Sequence, residues 1–180
     1  SVTYSGDLVS STSGTSNFRA GVNAGNSIQS GGNFNTVVGD EAGTAITTGD
    51  NNVAVGYAAG DAITTATDNT FLGYLAGSAT TDGNHNTGVG SNALAVSTGG
   101  QNTAVGRDAL AANTSASFNT AVGRSAGAAI TTGNRNVALG KDALLSDTLG
   151  SRAVAIGLGA LDAQNFTTAT DNYNVAVGYD

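Results

Sequence analysis

The sequence predicts an all-β repeat protein, a β-solenoid or β-roll with about 17 residues in each coil. Three observations support this fold class. The motif Asn–Thr/Val–x–Val/Leu–Gly–x–x–Ala–Gly/Leu recurs along the chain at a nearly constant spacing. Glycine and β-branched residues are frequent, which disfavours helices. The unit is also shorter than the two-helix repeats, which need about 33 residues or more.

The motif begins at ten positions, and nine of them hold Asn. Subtracting neighbouring positions gives spacings of 18, 17, 17, 17, 16, 17, 17, 17 and 21. We therefore expect residues 17–180 to hold about nine full coils and the start of a tenth, and residues 1–16 to form a non-repeat lead-in or linker. The ten starts are Asn17, Asn35, Asn52, Asn69, Asn86, Asn102, Asn119, Asn136, Ala153 and Asn174.

Two columns of the repeat are expected to be structural. A glycine four residues past each start predicts a positive φ or a close approach of two backbones. The Asn side chains would stack from coil to coil and hydrogen-bond along the stack, as amide ladders do. These structural residues include Asn35, Asn52, Asn69, Asn86, Asn102, Asn119 and Asn136, with Gly39, Gly56, Gly73, Gly90, Gly106, Gly123 and Gly140.

The other columns describe the cross-section of a coil. Branched residues one and three past every start from the second on predict a short strand. The looser second half, rich in turn formers, leads us to expect two short strands and two turns per coil. Ala seven residues past the start indicates a cramped interior site. The next column holds Gly or Leu, which indicates a site that Leu fills in some coils only. Because so thin a core is marginal, we expect several chains to associate and bury the remaining apolar column.

Composition limits the possible functions. The formal net charge is −7, which disfavours nucleic-acid binding. The chain has no Cys, so no disulfide or thiolate metal site is expected. No apolar stretch is long enough for a membrane helix, so we expect no insertion into a membrane. The sequence gives no reason to expect a cofactor.

No catalytic or metal-binding residues are predicted, and we expect the protein not to be an enzyme. His85 is the sole histidine and lies in a turn without a Cys or a second His beside it. The acidic residues mostly fall in or beside turns, where solvated carboxylates are usual. A polysaccharide-degrading solenoid and an ice-binding solenoid remain as distant alternatives. The paired Thr residues argue against the latter, because neighbouring strand residues face opposite sides.

One variable column suggests a binding surface. The residue after the repeated Gly would form a ladder with two adjacent Tyr and then three adjacent cations. It is either a solvated or interface ladder, with Asp108 and Asp142 compensating the cations, or a glycan-binding strip. In the strip, aromatic rings would stack on sugar faces and cations would hold acidic groups. The residues concerned are Tyr57, Tyr74, Arg107, Arg124 and Lys141.

Residues 52–77 and 102–127 resemble repeats in the shafts of phage tail fibres of the type that carries an endosialidase-like chaperone domain. The strand motifs NTAVG and NVALG are also similar to the heads of trimeric autotransporter adhesins, which are YadA-like β-rolls with a shorter repeat. The first resemblance implies the shaft of a trimeric tail fibre on the virion surface, which mediates host-cell attachment. The second implies an extracellular adhesin head that binds glycan or matrix. Both imply a homotrimer that binds a cell-surface polysaccharide or protein receptor.

Overall fold

The computed structural model describes residues 13–180, and within this range every strand pairs in parallel and no helix occurs. The predicted all-β solenoid is confirmed, with about 17 residues per coil between stacked positions such as Asn35 and Asn52. Residues 1–12 of the expected lead-in lie outside the described range. The strands are β1 Phe18–Ala20, β2 Thr36–Val38, β3 Val53–Val55, β4 Thr70–Leu72, β5 Thr87–Val89, β6 Thr103–Val105, β7 Thr120–Val122, β8 Val137–Leu139, β9 Gly150–Ser151, β10 Val154–Ile156, β11 Thr170–Asp171 and β12 Val175–Val177.

Ten of these strands form one sheet in the order β1-β2-β3-β4-β5-β6-β7-β8-β10-β12. Each strand is paired in full register with the same motif positions of the next coil, as Thr36 is with Val53 and Val38 with Val55. With a spacing of about 4.8 Å between strands, nine steps give a stack about 43 Å long.

Each three-residue strand turns its middle residue inward and its two outer residues toward the surface. From β2 to β10 the middle residue is buried, as Val37, Ala54 and Phe71 illustrate. The outer residues, one and three past the motif start, are half-buried or exposed. They make one continuous face of Thr, Val, Leu and Ile, on which Leu72 is 45% and Val122 39% exposed.

The coil closes through left-handed residues at three repeated positions. They lie six and eight past each motif start and immediately before the next start, for example Asp108, Leu110 and Phe118 with φ of 59°, 50° and 63°. A left-handed non-glycine residue costs about 1–2 kcal/mol. Hydrogen bonds between coils offset this cost, as when the Asp108 N–H donates to the Ser91 carbonyl over 2.9 Å.

The expectation of two strands per coil is wrong for most coils. Among residues 13–180, β9 and β11 form the one ladder in the second half of the coil, and it is two residues long. Elsewhere this half contacts the next coil through isolated backbone hydrogen bonds, such as the one from Ala45 N–H to the Asp61 carbonyl. Most coils therefore carry a single strand, and the ladder between β9 and β11 is confined to two residue pairs.

The interior is filled by a column of Ala and by one alternating pair of columns. The Ala seven past each motif start is at most 3% exposed in every complete coil. Where the next residue is Gly, the position three further on holds Ile in four of the five coils, as in Gly43 with Ile46. Where the next residue is Leu, that position is polar, as in Leu94 with Ser97. In these coils one large apolar side chain thus fills the same space from either position.

Candidate functional site

The Asn residues at the motif starts form a buried ladder through the stack. Asn52 is fully buried, and its Nδ2 donates to the Asn35 Oδ1 over 3.1 Å and to the Ala66 carbonyl over 2.8 Å. The backbone N–H of Asn52 donates to the same Asn35 oxygen over 2.9 Å. The amide of Asn52 thus pairs a carbonyl of its own coil and, through its oxygen, the N–H of Asn69 in the following coil, which a side chain without both a donor and an acceptor could not do.

The repeated Gly stands where two coils approach most closely. Its φ lies between +127° and +152° in all ten copies. A Cβ on Gly39 would lie 2.5 Å from the carbonyl oxygen of Gly56 in the next coil. A side chain at this position is therefore excluded by both the backbone conformation and the contact between coils.

The residue after each of these Gly residues points into solvent. Tyr57 and Tyr74 are 52% and 53% exposed, and their rings stack with centroids 5.5 Å apart at 15° between planes. The structure thus brings the two predicted tyrosines together. Two stacked, half-exposed rings form an apolar platform on this column.

The three cations follow on the same ladder and are paired with carboxylates. Arg124 and Lys141 both contact Asp142, at 3.3 and 2.8 Å, and Arg107 contacts Asp108 at 3.2 Å. The hydrogen bond from Lys141 holds the pKa of Asp142 below its ordinary value, and the Arg124 charge acts in the same direction. Pairing reduces the repulsion between stacked cations, while side-chain exposure of 46–60% leaves all three open to solvent.

A second surface ladder, missed by the sequence analysis, precedes the motif starts. Its residues are left-handed and, apart from the half-buried Arg152, exposed, and several neighbours contact each other from coil to coil. The Arg135 guanidinium lies 5.1 Å from the Phe118 ring centroid, and the Arg152 guanidinium lies 5.5 Å from that of Tyr173. The signal was the recurrence of large side chains directly before the motif start. The column comprises Phe34, Asn51, Asp68, His85, Gln101, Phe118, Arg135, Arg152 and Tyr173.

The structure places the lone histidine and the carboxylates without assembling a reactive cluster. His85 belongs to the second ladder, with its Nδ1 3.7 Å from Asp68, and both side chains are exposed. Asp61 is partly buried, and burial raises its pKa above the ordinary value. Across residues 13–180 no three His, Cys, Asp or Glu residues come together in a way that could hold a metal ion.

No helix within the described range has the length and apolar character to cross a membrane. Comparison of the chain with models of known families, with curated proteins and with solved structures finds no match to any of them.

Proposed function

We propose that the chain is a structural and adhesive fibre segment, the shaft of a trimeric phage tail fibre that takes part in host-cell attachment. The observation that supports this role is the unbroken sheet of ten parallel strands in constant register. Each coil is hydrogen-bonded to both neighbours, so the stack resists bending and its length grows with the number of coils. A rod of this kind holds a binding surface at a fixed distance. The proposed role includes no catalysis and places the chain on the virion surface or otherwise outside a cell.

The outer face of the strands supports self-association. Its two columns of Thr, Val, Leu and Ile run along the whole sheet without a charged side chain from β2 onward. From β2 to β12 this face is about 38 Å long and three residues, or about 10 Å, wide, which gives about 380 Å². A contiguous apolar patch of this size is typical of an interaction site, although it is only about half of the roughly 800 Å² that each partner contributes to a standard interface. We assign this face to the centre of a homotrimer.

Light scattering on the full chain of 180 residues tests this assignment. A trimer gives a molar mass three times 17.5 kDa. We expect Val122→Lys to lower the mass toward that of a monomer, because it places a charge on the apolar face. Ser115→Lys is the matched control, since it adds the same charge at an exposed position in the turn half of the coil. A monomeric wild-type chain, or equal effects of both variants, would overturn the trimer.

The adhesive part of the proposal rests on the Tyr57–Tyr74 platform and the cations beyond it. Stacked rings match the apolar faces of sugars, and exposed cations match acidic groups on polysaccharides. We expect the double variant Tyr57→Ala/Tyr74→Ala to lose most of its binding to whole host cells. Tyr179→Ala is the control, because it removes an exposed ring from the same column. Unchanged binding of the double variant would remove the ladder from consideration.

The second candidate function is the head of a bacterial trimeric surface adhesin. The lateral ladders favour it, because they place binding chemistry along the flank of the rod. The full-length gene separates the two candidates. A membrane anchor after the repeats supports the adhesin, whereas a chaperone domain and neighbouring tail genes support the fibre.

A further inference from the structure

A polar column two residues before each motif start is interrupted at one coil. In this column side chains accept hydrogen bonds from the backbone of the preceding coil. The Thr67 N–H donates to Asn84 Oδ1 over 2.7 Å, and the Ser117 N–H donates to Asn134 Oδ1, also over 2.7 Å. Gly100 occupies the same position between Asn84 and Ser117 and brings no side chain. Its coil is also the one with the shortest spacing between motif starts.

A recess of about 500 Å³ lies beside Gly100. The polar residues Asp82, Asn84, His85, Gln101 and Ser117 are among those that line it. They combine carboxylate and amide acceptors with amide, imidazole and hydroxyl donors. A ligand that fits such a lining needs several hydroxyl groups, each able to donate and accept.

The ring of Phe118 forms the apolar part of the recess. It is 47% exposed, and the Arg135 guanidinium lies over it at 5.1 Å. Because this guanidinium takes up one side of the ring, a ligand in the recess would use the opposite side. An aromatic face beside polar groups offers a surface for the C–H groups of a sugar ring, whose hydroxyls would reach the amides.

The charges around the recess disfavour an anionic ligand. Asp82 lines it directly, and Asp68 lies 3.7 Å from the His85 imidazole. Among the described residues that line the recess, none is Lys or Arg. A neutral ligand avoids repulsion from the two carboxylates and can still donate hydroxyl hydrogen bonds to Asp82.

We propose that this recess binds a neutral hexopyranose unit of a polysaccharide. The site lies on the second ladder and is separate from the Tyr57–Tyr74 platform, so it stands whether or not that platform binds glycan. It also does not depend on the rod forming a trimer. In a fibre or adhesin, it would add a sugar contact on a different column of the coil.

Nuclear magnetic resonance on the ¹⁵N-labelled full chain tests the site. The probes are the methyl pyranosides of glucose, galactose, mannose and N-acetylglucosamine. For a single sugar in an open recess we expect dissociation constants on the order of millimolar. At least one probe should shift the backbone amides of Gly83, Gly100 and Gln101. No shift at these amides with any of the four sugars would overturn the proposal and leave the rod and the tyrosine platform untouched.

A matched pair of variants tests the role of the ring. Phe118→Ala should lower the affinity for the sugar by about tenfold, which corresponds to a loss of roughly 1.4 kcal/mol of stacking. Phe34→Ala makes the same change in the same left-handed column, away from the recess, and should leave affinity unchanged. Gln101→Ala provides a second test should Phe118→Ala fail to fold. Equal weakening by the two Phe variants would contradict the assignment.

A charged probe tests the ligand class. Methyl glucuronide differs from methyl glucoside by a carboxylate, which Asp82 should repel. We expect the glucuronide to bind more weakly than the glucoside by at least about fivefold, and tighter binding of the glucuronide would overturn the assignment of a neutral sugar.

Discussion

Replacing one rung of the Asn ladder should destabilise the whole stack. Asn102 is fully buried, and its Nδ2 donates to the Ala116 carbonyl over 2.9 Å and to Asn86 Oδ1 over 3.2 Å. Its Oδ1 accepts from the Asn119 backbone N–H over 3.0 Å. Asn102→Ala removes all three hydrogen bonds. Asn86 Oδ1 still accepts from the Asn102 backbone N–H over 3.0 Å. The two groups left without a partner are therefore the Ala116 carbonyl and the Asn119 backbone N–H.

The magnitude follows from these two backbone groups. Leaving a buried donor or acceptor without a partner costs about 1–3 kcal/mol. Two such groups give roughly 2–6 kcal/mol, and we expect a loss near 4 kcal/mol in the free energy of unfolding. Since ordinary domains are stable by about 5–15 kcal/mol, a loss of this size is large.

Denaturant unfolding followed by far-ultraviolet circular dichroism measures this loss. The protomer concentration must be equal for all variants, because self-association makes stability depend on it. Asn26→Ala is the control, since Asn26 is exposed and its amide makes only two long contacts, donating to Asn23 Oδ1 over 3.5 Å and accepting from the Ser27 hydroxyl over 3.4 Å. We expect it to change stability by less than about 0.5 kcal/mol. A loss below about 1 kcal/mol for Asn102→Ala would refute the view that the ladder supplies essential hydrogen bonds.

Three further predictions concern the backbone, the core and pH. Gly106→Ala should lower the free energy of unfolding by more than about 3 kcal/mol or prevent folding. Gly178→Ala is the control, because Gly178 has a similar φ but nothing lies within 4 Å of a new Cβ, and it should cost clearly less in the same unfolding assay. Ile130→Ser alone should lower the free energy of unfolding by about 3 kcal/mol, and adding Gly127→Leu should restore more than half of that loss in a double-mutant cycle. Additive losses would contradict the view that residues 127 and 130 fill the same interior space. Burial raises the pKa of Asp61, so its ionised form destabilises the fold at neutral pH. Asp61→Asn should therefore raise the denaturation midpoint at pH 7, and this gain should vanish below the ordinary pKa of 3.8. A gain that persists in acid would contradict this cause.

The sequence predicted the fold class because the motif repeats with so little variation in spacing. It did not predict that the core residue of each strand lies two past the motif start, since this column holds Val, Ala, Phe and Gly. Phe71 shows why: its ring fills the space beside Gly77 and Gly88, where a Cβ on either glycine would meet it. A large residue in one coil is accommodated by small residues in its own and the next coil, so the column varies in size although every member from β2 to β10 is buried.

The surface was less predictable than the core. The column after the repeated Gly was identified because Tyr57 and Tyr74 occupy equivalent positions in neighbouring coils. The column before the motif start was missed, because its left-handed backbone follows from tertiary packing and not from the identity of residues such as Phe118 or Arg135. The recess beside Gly100 combines residues of three successive coils, which only the stacked arrangement brings together.

Different columns of the repeat stabilise the stack and face the solvent, so such a rod can bind a ligand without loss of its scaffold. The Asn, Gly and Ala columns supply the hydrogen bonds and close packing between coils, so they tolerate little change. The columns after the repeated Gly and before the motif start point into solvent, and their side chains interact mainly with each other. Substitutions there alter charge and shape without disturbing the register of the sheet. Binding specificity in this protein should therefore be carried by the two surface ladders, while the motif itself specifies only the scaffold.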